Sequence, residues 1–498
     1  MTYKSITRYA ILTLVLAVSS TACKQEWLEV KPQGELTTGN FFQEEDHAMW
    51  ATNAVYSMLR DWNVHAFNYV GMTDIASDDA DKGSLINDAI FLADLDNFTL
   101  DAGHQSPASI WNGYYQSIYR ANVAIENIPN IPEMNETLRQ RLIGECKFLR
   151  AYYYFNLVRW FGDIPLITRA LQPDEYYTQT RTPAAQVYQQ IILDLTEAAA
   201  VLPLKSQYAP GDLGRASQGA AKGILAKVYL TMGDFANAET AALEVINSGQ
   251  YALYPNFAKI FQREGEHSSE SVFEVSCVAL ETGGGGSQYN QIQGVRGTPN
   301  LGWGFNQPTT SLRSAFETGD PRRNATILEV GETLPDGSAI VLDNPDMLNE
   351  SYNQKAWVPE HVGFQENSPG NIRLLRYADV LLIAAEALNE NGKSQDALVY
   401  LNMVRARAKG NSTNPNLLPP VTVTDKDQLR QRIWNERRAE LALEQHRWFD
   451  LVRQGRAAAV MQAHGKTNFM AGKHELFPIP QSEVDLSGGL LTQNPFYE

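Results

Sequence analysis

The chain has 498 residues, and 41 Lys and Arg stand against 57 Asp and Glu, a formal net charge of −16 at neutral pH. That balance excludes a phosphate-backbone partner, because nucleic-acid affinity comes from clustered Lys and Arg that release counterions. The three cysteines, Cys23, Cys146 and Cys277, lie too far apart for the C-x-x-C spacing of a zinc or redox site.

Residues 1–22 read as a secretory signal peptide. Lys4 and Arg8 precede a mostly apolar run from Tyr9 to Val18, which ends in the small residues Ser19 to Ala22. The run is shorter than the ~20 apolar residues that span a bilayer. Cys23, directly after Ala22, is similar to the lipoprotein signal in which a new N-terminal Cys receives acyl chains; the alternative is a plain signal peptide with an incidental Cys. Residues 23–40 are then a lipid-anchored tether, and residues 41–498 a single body.

Helical patterns begin at Ser109–Ile128 and Glu136–Phe161. The second carries Phe148, Leu149, Tyr152, Tyr153, Phe155, Leu157 and Trp160. Bulky residues at i, i+3, i+4 and i+7 face a neighbouring helix, so this aromatic density is assigned to core, and Trp111 with it. Ala220–Met232 and Ala236–Ile246 flank Gly233-Asp234, with small residues at close-packing positions, the marks of a tetratricopeptide hairpin. Setting Gly233 on Gly392 yields a second copy at an offset of 392 − 233 = 159, in which Ala226 meets Ala385, Ala238 meets Ala397 and Val245 meets Val404. A long amphipathic stretch, Asp427–Gly455, follows. Residues 61–104 and 265–371 are rich in Gly, Pro, Asn, Thr and Ser and read as loops with short strands. The predicted fold class is mainly α: a tetratricopeptide-like helical-hairpin scaffold with a loop-rich insert containing short strands. Ordered loops on a rigid scaffold are where binding residues sit.

Motifs for catalysis are missing. The sequence holds no H-E-x-x-H, no G-x-S-x-G and no G-x-x-x-x-G-K-[ST], and Gly283 to Gly286 lacks the Lys and Ser/Thr of a phosphate loop. Asp78, Asp79 and Asp81 are the densest acidic cluster in a loop, yet adjacent residues in an extended loop point apart, which does not suit a glycosidase pair. Bound Ca²⁺ is an alternative use, although the D-x-D spacing falls short of six to eight oxygen ligands. Glu436, Arg437, Arg438, Glu440, Arg447 and Asp450 read as ion pairs that fix packing rather than as catalytic groups. The expectation is non-catalytic binding with no cofactor.

Several separated blocks carry a family likeness. Trp27-Leu28-Glu29-Val30-Lys31-Pro32 and Asn40-Phe41-Phe42 open the series, followed by Lys147-Phe148-Leu149-Arg150-Ala151-Tyr152 and Trp160-Phe161-Gly162-Asp163-Ile164-Pro165. Later come Arg373-Leu374-Leu375-Arg376-Tyr377-Ala378-Asp379, Glu436-Arg437-Arg438-Ala439-Glu440-Leu441, His446-Arg447-Trp448-Phe449-Asp450 and Leu476-Phe477-Pro478-Ile479-Pro480. In these blocks and their order the chain resembles the SusD/RagB family, surface glycan-binding lipoproteins of nutrient-scavenging Gram-negative bacteria. The resemblance implies a helical half that docks on a partner and a loop-rich half that holds ligand. The implied partner is a SusC-like TonB-dependent transporter in the outer membrane, over which the lipoprotein forms a lid.

A pyranose offers an apolar C–H face to Trp or Tyr and a belt of hydroxyls to Asp, Asn, Gln or Arg. The loop candidates for holding sugar are Trp62, Asn68, Tyr69, Asp78, Asp79, Gln288, Tyr289, Arg296 and Trp303, with Trp357 a weaker addition. Trp303 leads, because Gly302 and Gly304 on either side leave its indole approachable; the alternative is a buried Trp capping the loop half. Two other functions fit the scaffold: capture of peptides or other nutrients, and a purely structural adaptor.

Overall fold

The computed structural model describes residues 41–281, 284–298, 301–342, 344–358 and 367–497. The expected signal peptide, Cys23 and the tether over 23–40 lie outside the described residues. Helices α1 (Glu45–Ser57), α2 (Trp62–His65), α3 (Phe67–Val70) and α4 (Ile90–Asn97) precede the long α5 (Gln105–Asn127), α6 (Glu136–Phe161) and α7 (Ala184–Val201). Then come the pair α8 (Gln218–Met232) and α9 (Phe235–Asn247), and short helices α10 (Tyr289–Gln293), α11 (Thr310–Ala315) and α12 (Pro321–Thr326). The pair α13 (Tyr377–Glu390) and α14 (Ser394–Lys409) leads to α15 (Lys426–Leu441), α16 (Arg447–Arg453), α17 (Ala457–His464) and α18 (Gln481–Leu486). Among the described residues no helix is long and apolar enough to cross a membrane.

The central helix is α6. Asn135 caps it by accepting from the Leu138 amide, and it ends where Gly162 takes a φ of 70°. From Phe148 to Phe161 every residue except Arg159 is buried, so the helix is enclosed on all sides, as an all-round apolar helix must be. It packs against α1, α5, α7 and α8. The aromatic density read as core is core, and Trp111 is buried against Tyr115 and Phe161.

Both predicted hairpins form. Gly233 and Gly392 close their turns at φ of 75° and 77°, and at neither would a Cβ meet another atom within 4 Å. The backbone conformation, not space, is what demands glycine there. Ala220, Ala226, Ala238, Ala385 and Ala397 are fully buried, which lets the hairpins stack closely.

The predicted single helix Asp427–Gly455 is two. It breaks between α15 and α16, where Leu443 and Gln445 adopt φ of 59° and 61°. The break turns Glu444 and His446 toward the hairpins. Glu444 accepts from Arg376 Nε at 2.6 Å and Lys355 Nζ at 2.7 Å, and His446 Nδ1 lies 2.9 Å from Lys227 Nζ. Burial and the Lys227 charge lower the His446 imidazole to about 3, so it is neutral.

The loop-rich insert is ordered by strands β1 (Ala80–Gly83), β2 (Ser271–Val275), β3 (Phe305–Pro308), β4 (Ile327–Glu329), β5 (Ser351–Asn353) and β6 (Ile372–Arg376). They form three two-stranded antiparallel sheets, β1–β3, β2–β6 and β4–β5. The region 61–104, expected as loop, also holds α2, α3, α4 and a π-helical turn over Gly71–Ile75.

Buried ion pairs tie the halves together. Arg376, at the end of β6, directs its guanidinium to Glu270, Glu440 and Glu444 at 2.5, 2.9 and 2.6 Å. Arg407 from α14 reaches Glu270 and Glu440, and Arg322 from α12 reaches Glu436, Glu440 and Asp320. The reading of Glu436, Arg437 and Glu440 as packing ion pairs agrees with this arrangement.

Burial would raise the Glu440 carboxyl, but Arg407, Arg376 and Arg322 outweigh it and hold it at about 2. A depressed carboxylate stabilises the fold above its unfolded pKa of ~4.3 and loses that contribution as pH falls toward 2. Denaturant titrations should therefore show stability falling between about pH 4.3 and 2. At neutral pH, Glu440→Gln should cost ~3–5 kcal/mol, the scale for breaking a buried pair from one side.

Candidate functional site

Trp62 and Trp303 come from segments 241 residues apart (303 − 62 = 241) and meet at the surface. Asp61 starts α2 by accepting from the Asn63 amide at 2.8 Å, which places Trp62 on its first turn, 37% exposed. The Trp62 ring stacks on Phe67, centroids 5.2 Å apart and planes 14° off parallel. Trp303 stands edge-on to both, 6.1 Å from Trp62 at 64° and 5.8 Å from Phe67 at 71°. Phe67 is itself buried among Phe91 and Phe305. The result is a corner of two indoles on an aromatic foundation, with Trp62 exposed and Trp303 half-buried against the core.

The Trp303 backbone is fixed from both sides. Its amide donates to Gln291 O at 2.8 Å, and its carbonyl accepts from Ser84 Oγ at 2.6 Å. A Cβ on Gly302 would lie 2.2 Å from Gln291 O and 2.7 Å from Gly294 Cα, while Gly304 has a φ of +76°. The two glycines are thus needed for close backbone approach and for a left-handed turn. The indole they hold is half-buried, packed against the core. Arg296 donates to Ser84 Oγ at 2.7 Å and to the Asp88 carboxylate, so a half-exposed ion pair borders the corner.

Beneath the corner lies a buried polar network. Gln293 Oε1 accepts from Asn306 at 2.8 Å and Asn353 at 2.7 Å, and Asp74 accepts from Gln445 and Asn306. Burial raises the Asp74 carboxyl to about 7; the Asn306 and Gln445 donors pull it down and the Asp79 charge pushes it up.

The other candidates lie elsewhere. Tyr289 is buried and donates its hydroxyl to Gln445 Oε1 at 2.8 Å, so it belongs to that network. Tyr69 is buried edge-on to His65 and Trp160, its phenol pushed up to about 12 by burial, and Asn68 beside it is buried too. The expectation that Asp78 and Asp79 offer free carboxylates needs correction. Asp78 is clamped by Arg447 at 2.7 Å and Arg438 at 2.8 Å, and Asp79 by Arg438 at 2.7 Å. Burial raises Asp78, but Arg447 and then Arg438 bring it to about 2. Guanidinium groups fill the place a sugar hydroxyl or Ca²⁺ would take. Gln288 is half-buried just before α10, and Trp357 is half-buried against the small core of Val295, Leu328 and Tyr352. Burial thus withdraws Asn68, Tyr69, Asp78, Asp79 and Tyr289 from the surface, while Trp62, Trp303 and Arg296 come together. Sequence reasoning missed Phe67, Ser84 and Asp88, whose roles arise only from contacts across the fold.

Comparison with known proteins places the chain. A family model described as the SusD family matches residues 269–497, and one described as starch-binding associating with outer membrane matches residues 26–230. A solved laminarin-binding SusD-like protein is 32% identical, with a TM-score of 0.78, over 91% of this chain and 100% of that one. Surface glycan-binding protein A from Bacteroides thetaiotaomicron, solved in complex with laminarihexaose, is 25% identical, with a TM-score of 0.76, over 90% of this chain and 99% of that one. SusD-like protein P2 of Formosa agariphila is 29% identical across 98% of this chain and its own whole length. The chain belongs to the SusD/RagB family.

Because Gly302 has no room for a Cβ, Gly302→Ala should shift the Trp303 loop at a cost of ~1–3 kcal/mol. Near-ultraviolet circular dichroism should show loss of the coupled Trp62–Trp303 signal while the far-ultraviolet helical spectrum is kept.

Proposed function

We propose that this protein binds oligosaccharides or polysaccharides at the Trp62–Trp303 corner without making or breaking a bond, and passes them to a SusC-like TonB-dependent transporter. The observation that carries the reading is the exposed Trp62 indole set at 64° to the half-buried Trp303 indole, both resting on a buried Phe67. Stacked aromatic faces desolvate the C–H face of a pyranose, and Arg296 with Asp88 offers donors and acceptors to its hydroxyls. The laminarin- and laminarihexaose-binding relatives support a glycan as ligand. The family description that mentions the outer membrane supports a location there; Cys23 as lipid anchor and the transporter as partner are part of the proposal. Gln288 and Trp357, at the edges of the insert, are secondary candidates for contact with a longer chain.

Calorimetric titration of residues 24–498, which contain every described residue, with plant, host and microbial glycans should give saturable heat with one glycan class. Trp62→Ala and Trp303→Ala should each weaken that binding by ~0.5–1.5 kcal/mol or more. Trp62→Ala should leave the melting temperature nearly unchanged, since the ring is the outermost of the stack. Silence with every glycan, together with heat from a peptide mixture, would replace sugar by peptide as the ligand.

A further inference from the structure

Six aromatic side chains among the described residues are more than a third exposed: Trp50, Trp62, Tyr119, Tyr176, Tyr177 and Phe496. Three of them, Tyr119, Tyr176 and Tyr177, at 44%, 45% and 49%, line one cleft of about 350 Å³. The cleft lies between α5, the strip 165–179 and the C-terminal α18, and its volume falls within the ~300–1,000 Å³ of small-ligand sites. It is separate from the indole corner. The side of α5 that bears Gly113 is pressed against Asn63 of α2, where a Cβ would lie 2.7 Å from the Asn63 carbonyl oxygen. Asn112, Tyr115, Gln116 and Tyr119 leave a different face of the helix, centred about 110° round from Gly113 at the 3.6-residue repeat, and form the cleft wall.

From this we infer that the cleft is a second carbohydrate-binding site, for a short stretch of neutral sugar chain. The inference rests on the reading that the protein binds glycan. The wall is rigid, since Tyr115 donates its hydroxyl to Pro165 O at 2.8 Å and α5 is a 23-residue helix. Tyr176 and Tyr177 supply ring faces, while Asn112, Gln116 and Gln179 supply carboxamides that both donate and accept, the pairing a pyranose needs. No Lys or Arg lines the cleft, so an anionic ligand finds no counter-charge. Its one acid, Glu483, is half-buried and offers carboxyl oxygens that can accept from sugar hydroxyls. Two separate sites on one protein let a single long glycan gain avidity where its length spans both.

The test is titration of residues 24–498 with laminarihexaose first, then with short oligosaccharides of each class in the glycan panel. Three proteins are compared: unchanged, Trp62→Ala/Trp303→Ala, and Tyr119→Ala/Tyr176→Ala/Tyr177→Ala. All three tyrosines are exposed, and an unchanged melting temperature would verify that the last variant folds. The expected result is two bound oligosaccharides per unchanged protein, with one event surviving in each variant and the cleft event at least tenfold weaker in the tyrosine variant. A single event that disappears in the tryptophan variant and is untouched in the tyrosine variant would overturn the second site and leave the first. Binding of a Lys/Arg-rich peptide that the tyrosine variant loses, with no second sugar event, would assign the cleft to a protein partner and overturn it as well. Absence of sugar binding by the unchanged protein across the panel would overturn both.

Discussion

Arg376 stands where β6 becomes α13, and all of its five N–H donors are used inside the protein, on Glu270, Glu444 and both the side chain and carbonyl of Glu440. Around it Arg322, Lys355, Arg405 and Arg407 face Glu270, Asp320, Glu436, Glu440 and Glu444, five cations against five buried anions, and Arg405 also reaches the exposed Glu317. Desolvating each such charge costs several kcal/mol, so the cluster persists only because partners on five separate segments, that of Lys355 included, arrive together. Its net effect is specification. The second hairpin, α15, α12 and the strip before β2 can dock in one relative position and no other, since any slip leaves a buried charge alone.

That constraint reaches the Trp62–Trp303 corner through the break after α15. Arg438 and Arg447, on either side of it, hold Asp78 and Asp79, and Asp74 takes three donors from Gln445 and Asn306. The segment that runs from α2 to β1 is therefore anchored to the helical scaffold, and β1 pairs with β3 next to Trp303. Rigidity at the indole corner is thus inherited from buried charge some distance away. The sugar stacking proposed for this corner would benefit, because rings already in place lose little freedom when ligand binds.

Much of the scaffold was legible from the sequence, for a physical reason. Hairpin helices repeat with local periodicity, and the left-handed turns at Gly233 and Gly392 tolerate little but glycine, so both copies stand out. The aromatic run of α6 is assigned to core because its rings recur at i, i+3, i+4 and i+7, the spacing of a helix face that packs on a neighbour. The break within Asp427–Gly455 was hidden, since Leu443 and Gln445 take left-handed conformations without being glycine and only their distant ion partners explain it. Of the candidate site, Trp62, Trp303 and Arg296 converge, whereas Asp78, Asp79, Tyr69 and Tyr289 prove buried. Residue type and loop position do not encode burial, and a carboxylate matched to an arginine about 370 residues away reads in sequence like one free in solvent.

The central claim is that sugar lies against the Trp62–Trp303 corner. A crystal structure with a bound oligosaccharide tests it most directly. The account predicts a pyranose face packed on one or both indoles, with a hydroxyl within hydrogen-bond reach of Arg296 or Asp88. Well-ordered sugar bound only elsewhere on the protein, with both indoles bare, would contradict it.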